Sequence, residues 1–439
     1  MLKRDISATF LGNAAYVGLS FFSAIIVSRW LGVDGRGMFA LALLVPSIVS
    51  AFATFGQESA NVALAGMNKD KRGVLFAQSL VATVIGAVIG VLAILTFFYW
   101  LPIPRGNFDR LGDELIWASC LFPPASIFSG LSLALVRGCG RVVLAAALRV
   151  VTVVTVVLLL VVFVVILGYG VKAAVITTAA ALIPAPVIGL WLIRREIRTS
   201  GIRLEKAFLV QSLKFGLPIC LAGLASYLVY RLPQGILGYT VSEVEVGLYV
   251  TAVSLAEQLK VLPDSISTAF LPRLANELDS RRQQVPLVFR LTLIVSMAAM
   301  AIAGVLGIPV ILFMFGWEFA GSIVPFLILL PGVAALGGAS ILASDILTRQ
   351  KTSCNFIVGY ATLALSIGGN LALIPLLGIS GSAIAATVSY FFALGLWAHF
   401  YRRESGTPAR QLLPTWADVR MVAAMSGQMA GKVLARIRR

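Results

Sequence analysis

The stretch VVLAAALRVVTVVTVVLLLVVFVVIL, Val142 to Leu167, carries a single charge, Arg149. A bilayer core about 30 Å thick takes about 20 helical residues per crossing, and a backbone inside it must satisfy its own hydrogen bonds. A buried strand needs no such length, so this run predicts a membrane-spanning helix. The rest of the chain agrees: 59% of its 439 residues are hydrophobic and 12% charged, where a soluble domain carries about 25% charged residues. Splitting at polar and Gly/Pro punctuation gives twelve candidate spans, at residues 7–30, 38–62, 74–100, 113–136, 143–167, 171–193, 212–240, 247–270, 287–315, 321–347, 353–376 and 380–401. The expected fold class is an all-α polytopic membrane protein. The loops leave no room for a soluble catalytic domain.

Lys69, Arg72, Arg141, Arg194, Arg203 and Lys351 head a long set of basic residues in one set of loops, whereas the opposite loops hold only Arg29, Arg36, Arg105, Arg110 and Lys172. The positive-inside rule then places both termini in the cytoplasm. MLKRD before an apolar run imitates a signal peptide, but the run is long and lacks a small-residue cleavage site, so it reads as an uncleaved first helix. The net charge of +16 sits in loops and tail, which points to anionic lipids at the cytoplasmic face and not to nucleic acid. Cys120, Cys139, Cys220 and Cys354 form no CxxC pair, and His399 stands alone. No metal or cofactor is expected from them.

Shifting the sequence by 210 positions lays GMFALALLV, from Gly37, over GLYVTAVSL, from Gly247, and LGYGVKAAVITTA, from Leu167, over LGISGSAIAATVS, from Leu377. The twelve spans therefore read as six written twice. An even number per half gives parallel repeats related by an axis along the membrane normal, with a site expected between them near the midplane. The organisation is an N-lobe at 1–193, a basic linker at 194–208, a C-lobe at 209–401 and a basic tail at 402–439, which is either disordered or a helix lying on the cytoplasmic leaflet from Thr415 onward. Such architecture suggests alternating access.

Ionisable residues at membrane depth are expensive and normally face a cavity or a partner. In SYLVYRLPQGILGY, Ser226 to Tyr239, Arg231 lies 17 residues from Lys214, roughly 26 Å along a helix. Pro233 beside it predicts a bend or break. The alternative is that Arg231 snorkels or pairs with Glu243 or Glu245. In EQLKVLPDS, Glu257, Lys260 and Asp264 share one helix face, as a self-neutralising stripe or as a functional set. Arg149 is placed to meet an anionic headgroup. Arg29 and Arg36 bracket WLGVDGRG as outer-headgroup anchors, with Arg29 a further substrate candidate; Glu58, Glu257 and Asp264 are the candidates for carrying a coupling ion. Asp345 is expected to pair with Arg349. The shared sign of Arg231, Lys260 and Arg149 points to an anionic ligand such as a phosphate.

NAAYVGLSFFSAIIVSRWLGVDGRGMFALALLVPSIVSAFATFG, LVRGCGR and LGISGSAIAATVSYFFALGLW resemble the polysaccharide-type flippases of the MATE-like exporter superfamily, over residues 1 to 404. The resemblance implies two six-helix lobes in the bacterial inner membrane, with a cationic cavity between them. It implies export of an undecaprenyl-pyrophosphate-linked oligosaccharide to the outer leaflet for surface polysaccharide, alongside a polysaccharide polymerase and glycosyltransferases as candidate partners. Lipid II flippases have fourteen spans, two more than this chain holds. Drug exporters of the fold commonly keep an acid in the first helix, absent here between Ser7 and Leu31; a cation-coupled drug exporter using Glu58 or Glu257 is the second reading. A membrane polymerase or ligase would need a larger outer loop than Leu101 to Gly112 and a nucleophile with its base, so no enzyme is expected.

Overall fold

The computed structural model describes residues 2–101, 106–261, 263, 281–349 and 351–422. It is all-helical, with no strand among the described residues. The main helices are α1 (Leu2–Ala53), α2 (Gln57–Met67), α3 (Arg72–Leu95), α4 (Gly112–Ser119), α5 (Phe122–Gly138), α6 (Val142–Leu160), α7 (Gly170–Ala181), α8 (Pro184–Leu192), α9 (Arg194–Thr199), α10 (Lys206–Thr240), α11 (Glu243–Leu259), α12 (Arg281–Val310), α13 (Ile323–Thr348) and α14 (Thr352–Ser405).

Among the described residues eight helices are long and apolar enough to cross a bilayer, and nine if the bent pair α4 and α5 is one crossing. Two of these are double. The first breaks at Gly32, φ 70°, and α14 breaks at Gly378, φ 56°, a left-handed conformation that favours glycine. Splitting both gives eleven of the twelve expected crossings, and α11 covers the described part of the eighth, whose remainder lies outside the described residues. The chain is a multi-pass membrane protein.

The 210-residue repeat appears in the backbone itself. Gly106 and Gly316, and Gly168 and Gly378, are each 210 apart, and all four have positive φ. The segments Thr96–Trp100 and Ile311–Phe315 are both π-helical, and each is followed by a 3₁₀ turn, Gly106–Leu111 and Trp317–Ser322. Gly37 and Gly247, equivalent by the same offset, meet directly. A Cβ on Gly37 would collide with the Glu243 carbonyl, and one on Gly247 with the Val33 carbonyl.

The helices form two compact units. The first holds residues 1–251 with Ile311–Ser322 and Ile374–Ile379; the second holds the other described residues from Ala252 onward. In the first unit α1 packs along α3, α6, α7 and α10, and α2 lies between α5 and α10. Fully buried Asn61 ties three helices, receiving the Gln57 Nε2 bond at 3.1 Å and donating to Ser79 Oγ at 2.8 Å and Leu131 O at 3.0 Å. At one end Glu196 pairs with Arg72 at 2.6 Å and Arg141 at 2.8 Å, and Glu205 with Lys71 at 2.8 Å. The basic linker is thus fastened through its acids.

In the second unit α12 packs on α13, around a core that includes Phe289, Leu342, Trp397 and Tyr401. Leu412 from the tail is buried in that core. Arg290 holds the tail at Gln411 O, 2.8 Å, and at Asp418, 2.9 Å. Thr415 and Asp418 form the expected capping box, Thr415 Oγ1 donating to Asp418 Oδ2 at 2.6 Å. The tail beyond residue 422 lies outside the described residues. Asp345 pairs with Arg349 at 2.6 Å, as its spacing predicts.

Of the bend or break expected beside Arg231, the break is absent. Helix α10 runs unbroken from Lys206 to Thr240 through both Pro218 and Pro233. A proline removes one backbone donor and opens one carbonyl, and packed membrane helices tolerate that local loss; Pro233 is buried.

Candidate functional site

Arg231 is half-buried on α10, one turn after Tyr227, whose ring centroid lies 5.7 Å from its guanidinium. It makes no hydrogen bond or ion pair among the described residues. The partners that could have neutralised it are engaged elsewhere: Glu243 pairs with Arg110, and Glu245 accepts from Ser242. Its charge acts on a second cation. Arg36, only 7% exposed, comes from α1 just past the Gly32 break, packs at 6.0 Å from the Phe39 ring, and lies within reach of the Arg231 charge.

Two guanidiniums whose charges act on each other repel, and negative charge brought near both relieves that repulsion. Each guanidinium is a planar fork that matches a phosphate or carboxylate through two parallel bonds. An aromatic ring lies near each cation, Phe39 by Arg36 and Tyr227 by Arg231. The pair can therefore hold an anion.

Arg36 corrects its reading as an outer-headgroup anchor. WLGVDGRG looks like a loop because glycine and charge punctuate it, yet the helix resumes immediately after Gly32 and carries Arg36 inward. The repeat carries a signal for this position, since neighbouring Gly37 matches Gly247 and marks a close crossing. Tyr227 was legible too, four residues before Arg231.

The other candidates stand apart from this pair. Arg149 is exposed on α6 with its guanidinium 4.6 Å from the Tyr16 ring of α1. Arg29 is exposed and donates from Nη1 to Phe313 O at 3.2 Å. Lys260 and Glu257 are half-buried in the second unit, each with contacts of its own, and the Lys260 amide donates to Glu257 O at 3.1 Å. Asp264 lies outside the described residues.

Glu58 sits in the first turn of α2, after a break at Phe55 and Gly56, both with positive φ. Gly56 lies against the backbone of Gly216 on α10, and Gly130 on α5 leaves the space that the Glu58 carboxylate fills. The carboxylate lines a cavity of about 220 Å³ with Ser47, Ser50, Thr54, Phe122, Ser126 and Tyr227 among its walls. Tyr227 thus touches both this cavity and Arg231.

Comparison with known proteins agrees with the fold and the family resemblance. The chain spans 89% of itself and 94% of an inward-facing multidrug resistance MATE family transporter of the MOP superfamily, at 15% identity and a TM-score of 0.69. It aligns with the lipid II flippase MurJ in an inward closed conformation over 96% of this chain and 92% of that one, at 14% identity and a TM-score of 0.74. At these identities the likeness is one of fold. The capsular polysaccharide biosynthesis protein CapF of Staphylococcus aureus is 22% identical over 193 residues, 43% of this chain; the match spans about half, 48%, of that relative's length. The family model described as polysaccharide biosynthesis protein matches residues 2–277. The chain belongs to the polysaccharide biosynthesis protein family, on the fold of the MOP-superfamily transporters.

Proposed function

We propose that the protein is a flippase that moves an undecaprenyl-pyrophosphate-linked oligosaccharide from the cytoplasmic to the outer leaflet of the bacterial inner membrane, both termini being cytoplasmic. The observation that carries this reading is the Arg36 and Arg231 pair in a polysaccharide biosynthesis family member. The pyrophosphate docks between the two guanidiniums while the polyprenyl tail stays in the bilayer. Arg149, stacked on Tyr16, and Arg29 meet the headgroup on its way in and out, and Lys260 shares its charge. Two six-helix lobes, 1–193 and 209–401, alternate access across the 194–208 linker. No bond is made or broken. A polymerase and glycosyltransferases supply and consume the cargo, and the basic face rests on anionic lipids.

Deletion of the gene is expected to leave a lipid-linked oligosaccharide on the cytoplasmic leaflet, and Arg231→Ala to reproduce that accumulation with normal membrane levels. Normal export by Arg231→Ala sinks the assignment. Glu58, an acid in the wall of the cavity, favours a second reading as a cation-coupled exporter of drugs or metabolites. Drug sensitivity on deletion, without glycan accumulation, would select it.

A further inference from the structure

The linker at 194–208 and the described tail at 402–422 are built to one plan. WLIRRE, ending at Glu196, parallels HFYRRE, ending at Glu404. Glu196 pairs at 2.8 Å with Arg141, just before α6, and Glu404 pairs at 3.5 Å with Lys351, just before α14. The remaining acid of each segment is engaged as well, Glu205 by Lys71 and Arg203, and Asp418 by Arg290. Apolar side chains fasten the undersides: Ile197 and Phe208 are buried in a core of the first unit, and Leu412 in one of the second. All the acids of both segments are therefore spent on holding them in place.

The cations are left over. On the linker, Arg195, Arg198 and Lys206 are exposed with no acid partner among the described residues, and Arg194 stacks on Trp191, 4.2 Å from its ring. On the tail, Arg402, Arg403, Arg410 and Arg420 are exposed and equally unpaired among the described residues. Apolar side chains stand exposed between these charges: Trp191, Ile202 and Leu204 at the linker, Leu413 and Trp416 on the tail. Water suits the guanidiniums but not the rings and branched chains, and an acidic soluble surface would answer the charges alone. A layer of anionic headgroups answers both, because phosphates take the cations while the apolar side chains enter the acyl boundary. That the same sorting occurs in each half of the repeat argues against chance placement.

We propose that the linker and the tail each form a footing that binds anionic phospholipid headgroups of the cytoplasmic leaflet, with Trp191 and Trp416 seated at the acyl boundary. The inference rests on the orientation proposed above and takes nothing from the cargo. It turns a general basic face into two sets of named contacts, one per half. The outward cations take no part in holding the segments, so the lipid contact can be removed without loosening the fold beneath it.

The test places the purified full chain in phosphatidylcholine nanodiscs and quenches tryptophan fluorescence with brominated phosphatidylglycerol or brominated phosphatidylcholine. Trp191→Phe and Trp416→Phe identify the share of the signal that belongs to each footing. Both faces of a nanodisc are open, so the result does not depend on orientation. Quenching of Trp191 and Trp416 is expected at a lower fraction of the anionic lipid than of the zwitterionic one, with the difference closing in high salt, which screens exposed charges. Arg195→Gln at the linker, and Arg420→Gln, one helical turn after Trp416, should each raise the required fraction of phosphatidylglycerol about fivefold at its own tryptophan, with the melting temperature unchanged. Should either variant not assemble, the salt dependence of the parent decides. Equal quenching by the two lipids, or a preference that survives salt and both variants, overturns the inference. Shielding of these tryptophans by soluble polyglutamate, without a lipid preference, points to an acidic protein partner and also overturns it. Failure of the flippase reading looks different: Arg231→Ala would export normally while the lipid preference stood.

Discussion

Arg231 owes its behaviour to the groups that face it. The nearby acids are bonded elsewhere, so the Tyr227 ring and the Arg36 charge define its surroundings. Arg36→Lys keeps the charge and loses the planar fork. It is expected to weaken polyprenyl pyrophosphate binding about tenfold, roughly 1.4 kcal/mol, and Arg36→Ala further still, read by titration in nanodiscs. Cys139 offers a second check at one residue, outside the membrane spans. Burial pushes its thiol up to about 11, and neighbouring Glu196 works in the same direction against Arg72 and Arg141. The thiolate, not the thiol, attacks maleimide, so labelling of Cys139 should be slow at neutral pH and accelerate toward pH 11. Glu196→Gln should lower the pH at which it accelerates.

Among the elements, the crossing of α1 and α11 is set by two glycines whose Cβ atoms have no room. Gly37→Ala or Gly247→Ala pushes a methyl group into a backbone carbonyl, and such overpacking costs about 1–3 kcal/mol. A lower melting temperature in detergent, with the helix content retained, is the expected result. These helices also mark how far sequence reading reaches. Apolar runs specified the eleven crossings that the described residues show, because a bilayer demands length and composition that one chain displays openly. The 210 offset gave the repeat and, through Gly37 and Gly247, a contact. Arg231 was legible as a costly charge at depth. Arg36 was not, because a helix broken by one glycine and a loop punctuated by three look alike until the turn conformation of Gly32 is known. That α10 continues through Pro233 without a break was not legible for a related reason: the proline rule describes an isolated helix, whereas packing holds this one. Nothing local joined Glu58 to Ser126 and Tyr227, which meet only through tertiary packing.

At the scale of the molecule the tail closes the second unit. Leu412 fills that core, so Leu412→Ala is expected to cost about 2–5 kcal/mol and to reduce the amount of protein in the membrane. Asp418 makes the same closure sensitive to acid. Burial works to raise its pKa, but the Thr415 hydrogen bonds and the Arg290 guanidinium outweigh it, and the carboxyl titrates below its ordinary value. A group depressed in this way adds stability that is present above its unfolded value, about 3.9, and lost as pH falls through the lower folded value. The difference in melting temperature between the parent and Asp418→Asn should therefore be full near neutrality and vanish in strong acid. The meeting of Gly37 with Gly247 has a consequence of another kind. Two copies of a duplicated segment drift apart freely wherever each faces different neighbours. Where a position faces its own counterpart, any substitution in one copy is felt at once by the other, across the same few atoms. These two glycines can only change in concert, so the history of the doubling stays fixed at a place where the two copies touch.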